Sequence, residues 1–87
     1  MKLNLYIQKL LRAIICKKGR QETIDLFKIE RTTLYKWENN SKYTFKNITN
    51  LDVICIKYCE VFPKEDLKEV FMQGLVFYME DALKDKV

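Results

Sequence analysis

Residues 20–39, RQETIDLFKIERTTLYKWEN, constrain this chain more than any other stretch. Apolar side chains fall at Ile24, Phe27, Ile29, Leu34 and Trp37. That spacing predicts two short helices, Gln21–Phe27 and Arg31–Glu38, joined by a tight turn and sharing one small core. Leu34 and Trp37 face inward on the second helix, with Trp37 as a core anchor. Its outer face then carries Arg31, Thr32, Tyr35 and Lys36. These side chains hydrogen-bond base edges and phosphates, and a helix presented this way fits the major groove of DNA.

The segment IERTTLYKWENN resembles the turn and recognition helix of Cro/Xre-type prokaryotic repressors, and RTTLYKW is similar to the helix-turn-helix of transposases and Fis-like proteins. The resemblance covers about twenty residues. It implies a helix-turn-helix DNA-binding protein whose base contacts come from Arg31, Thr32, Tyr35 and Lys36. Phosphate contacts are expected from Lys17, Lys18, Arg20, Thr33, Asn39 and Lys42. Three positions depart from the family pattern. Ile24 stands where a small residue is usual. Lys28 stands where Gly usually takes a positive φ without strain. Glu30, a poor side-chain N-cap, stands where Ser or Thr is usual, so Thr32 or Thr33 is an alternative cap for a helix starting later.

The charge distribution agrees with a polyanion partner. The chain carries +4 overall. Residues 1–43 hold ten Lys and Arg against four acids, and residues 44–87 hold six against eight. A basic half joined to a mildly acidic half suits a module that meets a polyanion at one end. The motif falls inside the basic half.

Upstream, residues 3–18 read as a first helix on the stripe Leu3, Ile7, Leu10 and Ile14, widened by Leu11 and Ile15. Gly19 stops it, and Lys17 and Lys18 suit its negative end. Downstream, Asn39-Asn40-Ser41-Lys42 is a run of turn formers. Thr44 is the expected N-cap of a fourth helix, Phe45–Val61. Its stripe is Ile48, Leu51, Cys55, Tyr58, Cys59 and Phe62, while Val53, Ile54, Ile56 and Val61 fall off it. Pro63 opens a fifth helix, Lys64–Lys84, with Glu65 and Asp66 at its positive end. That helix carries two stripes: Leu67, Val70, Phe71, Gly74, Leu75, Tyr78 and Ala82, and separately Met72, Val76, Met79 and Leu83 with Phe77 close by.

These readings give one all-α domain of about five helices over 1–87. A basic helix-turn-helix part (1–43) precedes a helical dimerisation part (44–87). A chain this short buries only about 60% of its unfolded surface, and helices apolar on two sides need a second partner. A homodimer is therefore expected, with Phe71, Leu75, Val76, Tyr78, Met79 and Leu83 at its interface.

The composition offers little for other chemistry. There is no His, and there are only two Gly and three Cys. A Ser-His-Asp or Cys-His pair is thus excluded, as is a glycine-rich phosphate loop. Cys55 and Cys59 share a helical face, but the metal ligands they would need are missing, and the odd cysteine is no disulfide framework. No apolar run approaches the roughly 18 residues of a membrane span. The expectation is a non-enzymatic, cytoplasmic, dimeric regulator of double-stranded DNA with no cofactor, metal or small-molecule substrate. Two alternatives stand beside it. One is a protein-interaction module on the same scaffold, such as an inhibitor or adaptor. The other is an accessory DNA-binding part of a recombination system.

Overall fold

The computed structural model describes residues 2–39 and 49–84. Five α-helices follow in order: α1 Lys2–Lys18, α2 Arg20–Phe27, α3 Arg31–Asn39, α4 Thr49–Val61 and α5 Leu67–Lys84. The all-α expectation holds, and no strand occurs among the described residues. The predicted start of the fourth helix, with its Thr44 cap, lies outside the described residues, as do Asn40, Ser41 and Lys42.

α1 is the spine. Leu3, Ile7, Leu10, Leu11 and Ile14 are buried, and so are the polar Asn4 and Gln8. α2, α3, α4 and α5 all pack against it. The stripe Leu5, Lys9, Arg12 and Cys16, at the i, i+4, i+7, i+11 spacing of one helical face, is exposed, as are Lys2, Lys17 and Lys18 at the helix ends. Burying most of one helix's circumference is how an 87-residue chain gathers five elements around a common apolar cluster.

The first turn of α1 is tied by residues distant in sequence. The Asp81 carboxylate accepts the backbone N–H groups of Lys2 (3.1 Å) and Leu3 (3.0 Å), so the last turn of α5 caps the first turn of α1. Lys2 Nζ also reaches Glu80 at 2.8 Å, although this exposed pair adds little. At the other end a single residue, Gly19, separates α1 from α2. Its φ of +87° is a backbone state that side chains rarely adopt. The Gly19 N–H donates to the Ile15 carbonyl at 2.7 Å, and its own carbonyl accepts from Thr23 N–H and Oγ1. One glycine thus closes one helix and opens the next.

α4 and α5 cross at Gly74, where a Cβ would come within 2.8 Å of Leu51 Cδ1. The buried face of α4 is Leu51, Ile54, Cys55 and Val61. Ile54 and Val61 therefore belong to the core rather than to a second face, and Val53 and Ile56 alone of that group are exposed. Similarly, Phe77 sits with the inner side of α5, its ring 5.3 Å from Tyr6. α5 begins at Leu67 rather than at Lys64. Asp66 decides this: its carboxylate accepts the Lys68 N–H at 2.9 Å and its carbonyl accepts from Val70, the pattern of an N-cap. Pro63 instead occupies the turn closed by Glu65 N–H to the Phe62 carbonyl.

Tyr6 links α1 to α5 through a 2.9 Å hydrogen bond from its hydroxyl to the Val70 carbonyl. Burial pushes its phenol from 10.0 to about 12, and burial likewise pushes the Cys55 thiol from 9.0 to about 12. Both groups are neutral in the fold and ionise more readily in the unfolded chain. Their contribution is therefore complete below pH 9 and is lost as pH rises toward 12. Tyr6→Phe should flatten the alkaline limb of stability against pH between 10 and 12 while lowering stability at neutral pH. Denaturant titrations across that range measure both effects. Asp81→Ala should cost about 1 kcal/mol by removing the α1 cap, read as an earlier urea midpoint with an unchanged slope.

Candidate nucleic-acid interface

α2 and α3 are held as a unit by four kinds of contact. Leu34 is fully buried and Trp37 nearly so. The Trp37 ring meets Phe27 of α2 edge-on, with centroids 5.9 Å apart at 84°. α3 also rests on α1. Finally, Arg20, the first residue of α2, donates two hydrogen bonds to Glu38 in the last turn of α3, at 2.6 and 3.1 Å. The fork-to-carboxylate geometry matches both partners. Glu38 is buried and Arg20 largely exposed; the carboxylate holds the guanidinium's proton more firmly, raising the Arg20 pKa.

The turn between them is Lys28-Ile29-Glu30. Lys28 sits in the left-handed region at φ 54°, ψ 46°, and donates its N–H to the Ile24 carbonyl. A lysine there bears strain that glycine would not. Glu30 takes the capping position of α3 through its carbonyl, which accepts the Leu34 N–H at 3.1 Å. The alternative, a helix starting later with Thr32 or Thr33 as cap, is thereby corrected. α3 begins at Arg31 because the turn already provides the first carbonyl.

Anchoring Leu34 and Trp37 inward turns the opposite side of α3 to solvent. Arg31, Thr32, Tyr35 and Lys36 are all exposed, Tyr35 at 64%, and Thr33 is half-buried at the edge. The four expected base-contact residues therefore share one open face. Gln21 belongs with them: its Oε1 lies 3.4 Å from Arg31 Nη2, a long contact that bridges the starts of α2 and α3. The sequence reading passed over it, because the only signal is a polar residue in the first turn of the preceding helix.

The expected phosphate contacts divide. Lys18 is exposed at the end of α1. Lys17 is committed elsewhere: its ammonium donates to the Val61 carbonyl at 2.9 Å and lies 4.8 Å over the Phe62 ring. It thus serves the C-terminal end of α4, where carbonyls lack helical partners. Arg20 is engaged with Glu38, as described. Asn39 ends α3, but its side chain lies outside the described residues, as does Lys42. The face is not purely basic, since Glu22, Asp25 and Glu30 are exposed beside Lys28, Arg31 and Lys36.

Of the expected dimer residues, Val76, Met79 and Leu83 are exposed, whereas Phe71, Leu75 and Tyr78 are half-buried against the core. Among the described residues no three potential metal ligands converge, and no helix is long and apolar enough to cross a membrane. Comparison with family models, curated proteins and solved structures returned no match to any of them.

Lys28→Gly should stabilise the protein by about 1 kcal/mol, because the turn keeps its left-handed backbone and loses the side-chain strain. A higher thermal midpoint with unchanged helical circular dichroism is the expected result.

Proposed function

We propose that this chain is a sequence-specific regulator that binds double-stranded DNA as a dimer and lays α3 in the major groove. The observation that carries the reading is the orientation of α3. Its two large apolar residues are buried, and Arg31, Thr32, Tyr35 and Lys36 project together from a rigidly seated helix. The spacing of this row of donors suits base edges along a groove. Arg31 is the strongest candidate for direct readout, since a guanidinium bonds guanine O6 and N7 together. The exposed Lys18 and Lys28 would supply backbone contacts, which set register and salt dependence rather than sequence preference.

A second reading, a protein-interaction module, is favoured by the exposed apolar side chains of α4 and α5. Selection of the purified protein on random duplexes at two salt concentrations separates the two. The DNA reading expects an enriched palindrome with half-sites about 34 Å apart. Arg31→Ala should then lose roughly 1–3 kcal/mol on the selected site and relax preference at one base position. Lys18→Ala should weaken all sequences alike and lower the salt slope by about one unit. No retention at low salt would overturn the DNA reading in favour of a protein partner.

A further inference from the structure

α5 has two opposite faces, and among the described residues only one is packed within the chain. Its inner face is Val70, Gly74, Phe77 and Asp81. Val70 accepts the Tyr6 hydrogen bond, Gly74 meets Leu51, Phe77 stacks near Tyr6, and Asp81 caps α1. The outer face is Met72, Val76, Met79 and Leu83, exposed at 50%, 46%, 54% and 60%. The spacings are four, three and four residues, the alternation of a two-stranded helical seam.

This run of spacings reads the same in either direction along the helix. A two-fold axis passing between residues 77 and 78 therefore sets Val76 opposite Met79 of the partner subunit, and Met72 opposite Leu83 of the partner subunit. Self-matching of this kind is what a two-fold contact between identical chains requires. We propose that two copies of this chain pair through the outer face of α5, with the helices antiparallel and this register. The inference deepens the dimeric part of the reading above and is independent of the DNA contacts.

Charge favours the antiparallel sense. It brings Gln73 beside Glu80 of the partner subunit and Glu69 near Lys84 of the partner subunit. Parallel pairing would instead set Glu69, three residues before Met72 on the same stripe, on Glu69 of the partner subunit, and like charges across a seam oppose association. Antiparallel alignment also joins opposite helix ends.

The seam exposes four large apolar side chains, each about half open in the single chain, which places the contact at the small end of the range for specific pairs.

Sedimentation equilibrium of the full chain without DNA tests the pairing. The wild type should give a mass near twice 10.5 kDa. Val76→Lys should weaken association by roughly 100-fold or more, the order expected for an unpaired charge at a buried seam. Its helical circular dichroism should not change, because Val76 is half exposed in the single chain. In the double variant Val76→Lys/Met79→Glu, the introduced lysine faces the introduced glutamate across the axis, and the dimer should return. A monomeric wild type, or a Val76→Lys variant that still dimerises, overturns the interface. A double variant that stays monomeric overturns the antiparallel register. Each of these outcomes leaves the α3 reading to be judged by its own selection.

Discussion

The structure depends on burying α1 from several directions at once. α2, α3, α4 and α5 all rest on this helix, and its start is satisfied from the far end of the chain. Asp81 holds its first N–H groups, and Gly19 ends it within one residue. Lys17, in its last turn, reaches the end of α4. The seating of α3 follows from the same packing, since Leu34 joins the core built on α1. Changes at either end of α1 should therefore be felt at the candidate interface, even though Asp81 and Tyr6 lie on other parts of the fold.

The helices were legible because the chain punctuates them strongly. Gly19 and the Lys28–Glu30 turn each interrupt a clear apolar period, and the lengths of α1, α2 and α3 follow from those breaks. α5 starts later than the sequence predicts because Pro63 signals a helix N-terminus in general, whereas the Asp66 side chain makes the actual cap. Periodicity showed that α4 and α5 carry apolar residues on two sides, yet it did not rank the sides. That ranking placed Ile54, Val61 and Phe77 inside, and it depends on where α1 lies.

The exposed face of α3 was legible for a local reason: Leu34 and Trp37 are three residues apart on one side, which fixes the other. The roles of Lys17 and Arg20 were not. Both are cations near a motif, and sequence alone gives them the same expectation as Lys18. Their actual partners, the Val61 carbonyl and the Glu38 carboxylate, are 44 and 18 residues away. Long-range hydrogen bonds of this kind have no signature in spacing, so charge composition overstates the number of cations free to meet a polyanion.

This sharing of charge bears on why pairing would matter to the proposed function. With Arg20 neutralised by Glu38, the described exposed charges around α2 and α3 are Lys28, Arg31 and Lys36 beside Glu22, Asp25 and Glu30, with Lys18 nearby. Phosphate attraction to so balanced a surface is modest, and that term supplies most sequence-independent affinity for DNA. A single copy would then rely on a few hydrogen bonds from α3. Two copies held at fixed spacing make the second half-site an intramolecular event, which raises affinity with no new contact within either half. The apolar outer face of α5 and the near-balanced charge of the surface around α2 and α3 are in this sense complementary features. The weaker the pull of one half on the phosphates, the more binding depends on the rigid coupling of two, and the more sharply it discriminates a correctly spaced pair of half-sites from a single one.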